Sequence, residues 1–198
     1  MLELQSISKT FHPGTIHAKK ALQNLSLSLN DGDFVTVIGG NGAGKSTLLN
    51  AIAGVWPVDE GNILIDGVDV TGLPEYKRAA FIGRVFQDPM LGTAPNMQIE
   101  ENLALALRRG KKRTLRWGVT KQEREDYYER LHALGLGLEK RMTDKVGLLS
   151  GGQRQALTLL MASLQKPKLL LLDEHTAALD PATAAKVLEL SDKIVEQN

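Results

Sequence analysis

The chain has 198 residues, of which 42% are hydrophobic, so it is long enough to bury one sizeable core. Its 24 basic and 23 acidic side chains give a net charge of +1, which excludes a strong overall field toward nucleic acid or an anionic membrane. The absence of cysteine excludes disulfides, thiolate metal sites and cysteine nucleophiles. Because no apolar stretch reaches about 18 residues and no secretion signal follows Met1, we expect a cytoplasmic chain that does not cross a membrane alone.

The first part of the chain carries strand patterns on either side of a glycine-rich loop. Residues 25–29 alternate leucine with polar side chains, which predicts a half-buried strand. A turn at residues 30–32 and the apolar run at residues 34–38 predict that a second strand follows in a hairpin. The glycine-rich loop comes next and opens a predicted helix at Lys45–Ala53. This order predicts a strand, loop and helix unit.

The middle of the chain changes from strand patterns to helix patterns. A hairpin is predicted where residues 62–65 meet Asp66 and Gly67, and residues 81–86 are typical of a buried strand. Helix periodicity is clearest at residues 99–109 and 121–136. We therefore predict a helical subdomain over residues 89–149.

Strand and helix alternate again after the helical region. A helix is predicted to start at Ser150, a strand at Leu169–Leu172, and a last helix at Pro181 with Asp180 as its N-cap. No internal repeat or low-complexity tract interrupts this order. The pattern favours an α/β fold in one domain, with a core of residues 1–88 and 150–198.

The glycine-rich loop matches a phosphate-binding pattern of glycine, four residues, glycine, lysine and serine. In such a loop, glycines let backbone N–H groups face phosphate oxygens, and the start of the helix adds its positive dipole end. The lysine reaches the outer phosphates, the serine hydroxyl binds Mg²⁺, and the next threonine is a further phosphate donor. The predicted ATP-binding residues here are Gly39, Gly40, Asn41, Gly42, Ala43, Gly44, Lys45, Ser46 and Thr47.

Two acids follow the apolar strand at Leu169–Leu172. In the neighbourhood of a phosphate loop, the first carboxylate, Asp173, is predicted to hold Mg²⁺ directly or through water. The second, Glu174, is placed to orient and deprotonate the water that attacks the terminal phosphate, so it is the predicted general base.

A second anion-binding helix start is predicted at residues 150–153. Ser150 is a good N-cap, and Gly151, Gly152 and Gln153 follow it at the first turn, where backbone N–H groups are available to an anion.

Together these three segments resemble the Walker A, Walker B and signature motifs of ATP-binding cassette (ABC) proteins. Gln87 matches the family's Q-loop, residues 178–180 match its D-loop, and Phe11 falls where the family places an aromatic that stacks on adenine. Core packing is the alternative for Phe11. The resemblance covers nearly the whole chain. It implies a P-loop NTPase fold with a RecA-like core, an N-terminal antiparallel β subdomain and an inserted helical subdomain.

The resemblance also implies an ATPase that works as a head-to-tail dimer. Lys45, Asp173 and Glu174 of one subunit and residues 150–153 of the other would then enclose the same ATP. Gln87 would sense the terminal phosphate through Mg²⁺ and water, and would relay closure to transmembrane permease subunits through the helical subdomain. The implied place of action is the cytoplasmic face of the plasma membrane.

Within the family, the loop start and residues 173–180 resemble those of bacterial import ATPases for amino acids, aromatic ones in particular. Such a system is expected to include an extracytoplasmic binding protein and no nucleic acid. The alternatives are a soluble ABC ATPase of translation or DNA maintenance and a non-catalytic regulatory cassette. Nothing in the chain identifies the cargo, or separates a homodimer from a heterodimer.

Three further features leave alternatives open. His175 stands where relatives carry proline, and has either a structural or a catalytic role. The basic stretch at residues 108–116 is either a solvated loop or a contact with membrane subunits or anionic lipid. No histidine follows His175, whereas the family carries a switch histidine on a later strand. We therefore expect a chain that is incomplete at its C-terminus and that hydrolyses ATP slowly or not at all while retaining its phosphate loop.

Overall fold

The computed structural model describes residues 1–111 and 118–173, which form two compact units, one ending at Ile82 and the other beginning at Gly83. The predictions for Glu174, for His175, for the segment at residues 178–180 and for the last helix lie outside the described residues.

The first unit is built on a four-stranded antiparallel sheet. Its strands are β1 (Leu2–Phe11), β2 (Lys19–Leu29), β3 (Glu60–Ile65) and β4 (Val68–Asp69), in the order β2-β1-β3-β4. Helix α1 (Lys45–Ala53) and the single turn α2 (Glu75–Arg78) complete the unit.

Alternation along the strands buries one face of this sheet. Ile7, Ile63 and Ile65 are completely buried, and the side chains between them are more exposed. The predicted strand at residues 25–29 is confirmed, and it is the second half of a longer β2.

The predicted hairpin at Asp66 and Gly67 is confirmed. Both residues have positive φ, 53° and 75°, as a two-residue hairpin turn with the twist of its strands requires. Asp66 closes the turn between β3 and β4, which pair Ile65 with Val68.

The predicted strand at residues 34–38 is wrong. The turn before it forms, because the Asp33 N–H donates to the Asn30 carbonyl over 3.2 Å, but residues 34–38 pair with no strand in the described part of the chain. Phe34 and Ile38 are 61% and 89% exposed. The apolar pattern reports a tendency to be buried, whereas a strand also needs a neighbour that supplies hydrogen bonds along its edge.

The second unit packs three helices with a two-stranded sheet. The strands are β5 (Ile82–Val85), which starts at the boundary between the units, and β6 (Leu169–Leu172). The helices are α3 (Ile99–Leu107), α4 (Lys121–Ala133) and α5 (Gly151–Ser163), with 3₁₀ turns at Leu138–Arg141 and Val146–Leu148. The predicted helices are confirmed, although α3 and α4 end two to three residues early, at turns that Arg108 and Leu134 cap. Within the described residues, no helix is both long and apolar enough to span a membrane.

Two arginines of the basic stretch at residues 108–116 face the protein. Arg108 donates to Glu123 over 2.8 Å and to the Ala104 carbonyl over 3.1 Å. Arg109 donates to the Ala162 carbonyl over 3.2 Å, and burial lowers the pKa of its guanidinium. These two charges therefore tie helices α3, α4 and α5 together, and Lys111 is the only other basic residue of the stretch in the described part of the chain.

A buried guanidinium closes the far end of helix α1. Arg78 is 2% exposed, and Nη1 donates to the carbonyls of Ala51 and Ile52 over 2.8 and 2.9 Å. Nε and Nη2 donate to the carbonyls of Leu73 and Thr71, each over 2.8 Å. A cation at the negative end of a helix dipole is favourable, and here it also satisfies carbonyls that have no partner within the helix.

We expect Arg78→Met to lower the free energy of unfolding by about 3 kcal/mol, because four carbonyls lose buried hydrogen-bond donors. The control is Arg130→Met, which removes only an exposed pair with Asp126 on α4 and should cost less than about 0.5 kcal/mol. Urea unfolding of both variants checks this. Equal stability of the two variants would contradict the role of Arg78.

Candidate functional site

The phosphate loop lies between residue 38 and helix α1, and left-handed glycines shape it. Gly42 and Gly44 have φ values of 81° and 94°, and the Ala43 N–H donates to the Gly40 carbonyl over 3.2 Å. Alternation of left-handed and ordinary residues turns successive N–H groups toward one side of a loop, where they form a concavity that suits an anion. Gly42 is exposed, so a ligand can reach this side.

Gly44 also holds the loop against the sheet. A β-carbon at this residue would lie 2.6 Å from the carbonyl oxygen of Ala21 on β2, which is closer than real side chains come. Only glycine combines this approach with a φ of 94°. The loop and the first turn of α1 are therefore positioned by the backbone of β2.

Helix α1 begins without a side-chain cap. Its N-cap is Gly44, which has no side chain to accept from the first turn, and that turn contains no acidic residue. By contrast, Thr120 caps α4 and Ser150 caps α5, each accepting from the N–H three residues later. The first N–H donors of α1 and the positive end of its dipole are thus available to bind an external anion.

Lys45 and Ser46 occupy the first turn of α1. The ammonium of Lys45 donates to the carbonyls of Gly39 and Gly40 over 2.6 and 3.2 Å, so it lies over the start of the loop. Ser46 is exposed, and Thr47 is half-buried beside it. These are the positions that the sequence predicts for the phosphate-binding lysine and the Mg²⁺-binding hydroxyl. Of the remaining loop residues, Asn41 and Ala43 are exposed.

Phe11 ends strand β1 and packs against a second aromatic ring. Its ring centre lies 5.0 Å from that of Trp56 with the two planes nearly perpendicular, and the ammonium of Lys9 lies 5.8 Å from its centre. Asp59 accepts from Lys9 and from the Thr10 N–H over 2.7 and 2.6 Å, and these bonds hold the pKa of its carboxyl below the usual range. Trp56 fixes the orientation of the Phe11 ring, and Phe11 remains partly exposed.

In the second unit, Gln87 and Asp173 follow two neighbouring strands. Asp173 comes directly after β6, and its N–H donates to the carbonyl of Val85, the last residue of β5, over 3.1 Å. Gln87 comes two residues after Val85 and is exposed. The fold therefore brings the predicted Q-loop glutamine and the predicted Mg²⁺-binding acid to one sheet edge. Among the described residues, no group of three or more histidine, aspartate or glutamate side chains could hold a metal ion.

The segment at residues 150–153 opens α5 with a complete capping box. Ser150 Oγ accepts from the Gln153 N–H over 3.3 Å, and Gln153 Oε1 accepts from the Ser150 N–H over 3.2 Å. Gln153 Nε2 also donates to the Leu136 carbonyl over 3.3 Å. The Gln153 side chain thus holds its own subunit together, while Ser150 and Gly151 are exposed.

The Arg154 side chain holds the segment that precedes α5. Its Nη2 donates to the carbonyls of Gly147 and Leu149 over 3.1 and 3.0 Å. Further along α5, the fully buried Gln155 donates to the Phe86 carbonyl over 3.4 Å, next to Gln87. These roles are not visible in the sequence, because they depend on which carbonyls the fold leaves unpaired at the surface of the helix. The one sign of these roles in the sequence is Gln155, an uncharged polar residue on a buried helix face.

The predicted site residues fall into two groups. Phe11 and the phosphate loop with Lys45, Ser46 and Thr47 belong to the first unit. Gln87, Asp173 and residues 150–153 belong to the second unit. Within each group the predicted residues are exposed or partly exposed, and they lie at or just after the ends of strands, or in and just before the first turns of helices.

Comparison with known proteins assigns the family. The ABC transporter family matches residues 22–177. The chain is 48% identical over 197 residues to a tyrosine transport ATP-binding protein of Clostridioides difficile, covering 100% of this chain and 78% of that relative. It is 38% identical over 182 residues to a spermidine/putrescine import ATP-binding protein of Pasteurella multocida, covering 91% of this chain and 44% of the relative. The chain thus spans less than half the length of that second relative.

The solved structures give the same result. The fold matches the dimeric post-hydrolysis state of an ATP-binding cassette bound to ADP and Pi with a TM-score of 0.83 and 31% identity, covering 100% of this chain and 84% of that one. It matches the ADP conformation of another ABC transporter cassette with a TM-score of 0.76 and 32% identity, covering 98% and 77% of the two chains. The P-loop NTPase fold predicted from the sequence is confirmed, and the chain belongs to the ABC transporter family as an ATP-binding, ATP-hydrolysing subunit.

Proposed function

We propose that this subunit hydrolyses Mg-ATP at its phosphate loop and thereby drives the import of an amino acid through separate permease subunits. The observation that carries the site assignment is the start of α1. It combines left-handed glycines, a helix end without a side-chain cap, and the Lys45 ammonium in one exposed place. Each of the three favours the binding of a polyphosphate.

On binding, Lys45 exchanges the carbonyls of Gly39 and Gly40 for the outer phosphates of ATP. Neutral carbonyls are weaker partners for an ammonium than phosphate oxygens, so the exchange is favourable. The exchange also moves the ammonium away from Gly39 and Gly40, so that the ligand can reach the start of the loop. Phe11, whose ring Trp56 orients, offers its remaining face to adenine.

Ser46, Gln87 and Asp173 supply the oxygen donors that Mg²⁺ prefers, a hydroxyl, an amide carbonyl and a carboxylate. When bound, Mg²⁺ neutralises charge on the outer phosphates and so lowers the cost of nucleophilic attack. Gln87 and Asp173 fit this set because the hydrogen bond between Asp173 and Val85 places them at one sheet edge. Ser46 fits because its hydroxyl is exposed in the first turn of α1.

Glu174 follows Asp173 in the chain, and we assign it the general base. Its carboxylate takes a proton from water while the water oxygen bonds to the terminal phosphorus. The bond from that phosphorus to the bridging oxygen breaks, and ADP and phosphate leave. Lys45 stabilises the charge that develops on the terminal phosphate and the bridging oxygen.

A second subunit completes the site in our proposal. Ser150 and Gly151 are exposed at the start of α5 and Gly152 is partly exposed, so the Ser150 hydroxyl and the N–H groups of the two glycines contact the ATP that the opposite subunit binds. Gln153 holds this segment in shape through its bonds to Ser150 and Leu136. The related dimeric cassette bound to ADP and Pi supports a dimer. In our proposal, the two subunits of this dimer are arranged head to tail.

Coupling to the membrane would run through the helical subdomain at residues 89–149. Gln87, one of the proposed Mg²⁺ ligands, directly precedes this region in the chain, and Leu91, four residues later, is 70% exposed. An exposed leucine next to a nucleotide-sensing residue suits contact with a permease. The subunit would then work at the cytoplasmic face of the plasma membrane, with an extracytoplasmic binding protein supplying cargo.

The tyrosine transport relative supports an aromatic amino acid as the cargo, because it matches the whole chain at 48% identity. A methionine import relative from Vibrio cholerae, 36% identical over 202 residues and covering 100% of this chain and 55% of its own length, supports import. These relatives favour an importer over a soluble ATPase of translation or DNA maintenance.

We expect Lys45→Ala to raise the Kd for Mg-ATP by about 100-fold, because the side-chain cation at the outer phosphates is lost while the loop glycines stay in place. Lys77→Ala, at an exposed lysine of α2, is the control and should leave the Kd unchanged. Calorimetric titration measures both. Near-normal affinity of the Lys45 variant would refute the assignment of the phosphate loop.

We expect Glu174→Gln to bind Mg-ATP normally and to hydrolyse it at least about 100-fold more slowly, because the amide fills the site but cannot accept a proton. The trapped ATP should hold the dimer closed, which size-exclusion chromatography detects. Glu125→Gln, at an exposed position of α4, is the control. An unchanged rate of hydrolysis in the Glu174 variant would rule out its role as the base.

A further inference from the structure

A second lysine ammonium lies beside the phosphate loop. Lys19 begins strand β2, and a β-carbon placed at Gly42, in the middle of the loop, would lie 3.5 Å from its Nζ. Lys20, the next residue, points to the other face of the strand, since side chains alternate. The fold thus directs one of two adjacent lysines at the loop.

This ammonium is available to a ligand. Lys19 is exposed, and within residues 1–111 and 118–173 its side chain makes no hydrogen bond or ion pair. Lys45, in contrast, is held by two loop carbonyls. A lysine without a partner, beside a helix start that has no acidic residue in its first turn, strengthens the positive potential over the loop.

The register of the sheet places Lys19 between the two ends of the proposed nucleotide site. In the antiparallel pair of β1 and β2, Lys19 is directly opposite Phe11, the proposed adenine platform. Directly opposite residues have Cα atoms about 5 Å apart. Its ammonium reaches Gly42, whereas Lys45 lies over Gly39 and Gly40. A nucleotide that runs from Phe11 to Lys45 therefore passes Lys19 on the way.

We propose that Lys19 is a second phosphate-binding cation, which contacts the phosphate nearest to the ribose. The proposal rests on the proposed function of the phosphate loop. Because ATP and ADP share this phosphate, Lys19 strengthens the binding of both by the same factor. Lys45, which acts on the outer phosphates, discriminates between them. Lys19 therefore sets how tightly the product is held after hydrolysis.

The test compares Lys19→Met with Lys20→Met by calorimetric titration of Mg-ATP and Mg-ADP. We expect Lys19→Met to raise both Kd values by the same factor, about 5 to 20, as for one charge-assisted hydrogen bond at an exposed site. Lys20→Met should change neither Kd more than about twofold, because it removes equal charge from the opposite face. Lys19→Arg should restore binding to within about threefold. Both methionine variants should unfold at the same urea concentration as the parent.

The outcomes separate this proposal from the one on which it rests. An unchanged Kd for both nucleotides in Lys19→Met overturns the role of Lys19, as does equal weakening by Lys20→Met. A raised Kd for ATP with an unchanged Kd for ADP also overturns the role of Lys19, since that result would place the ammonium at the terminal phosphate. If the parent protein binds ATP and Lys45→Ala does not, the assignment of the phosphate loop holds whatever the result for Lys19. If Lys45→Ala binds as well as the parent, both proposals fall.

Discussion

The nucleotide site of the first unit depends on the close approach of Gly44 to the carbonyl of Ala21. This contact joins the start of α1 to strand β2, and any side chain at Gly44 would force the two apart. Because β2 also carries Lys19 and pairs with the strand that ends at Phe11, the same contact sets the spacing between the proposed base platform and the phosphate loop. A left-handed φ at Gly44 then turns the chain into the helix that carries Lys45.

The two ends of α1 are treated in opposite ways, which fits a helix that binds a ligand at one end. At its C-terminus, Gly54 and the buried Arg78 satisfy the last carbonyls from within the protein. At its N-terminus, no side chain caps the first turn. An uncapped end costs the folded protein about 1 kcal/mol relative to a good cap. Helix α5, which starts at the predicted residues 150–153, does not bear this cost, because a capping box closes its first turn. The site therefore gives up local stability where phosphate is expected to bind.

Much of this arrangement could be predicted from the sequence, since it depends on neighbours in the chain. The phosphate loop, the turn at Asp66 and Gly67 and the cap at Ser150 each combine special residues within a few positions, so their conformation is local. The absence of a strand at residues 34–38 could not be predicted, because a strand forms only beside a partner that lies elsewhere in the chain. Arg78 and Lys19 were missed for the same reason. An arginine in a turn and a lysine at a strand end acquire their roles only once the fold supplies the carbonyls of α1 and the neighbouring loop.

The central claim is that Mg-ATP binds at the uncapped start of α1. Amide hydrogen exchange of the full chain, with and without Mg-ATP, tests this most directly, because N–H groups that donate to phosphate exchange more slowly. The account predicts strong protection of the peptide that covers residues 39–47, and no added protection of the α2 turn at Glu75–Arg78. ATP binding that leaves exchange at residues 39–47 unchanged would contradict it.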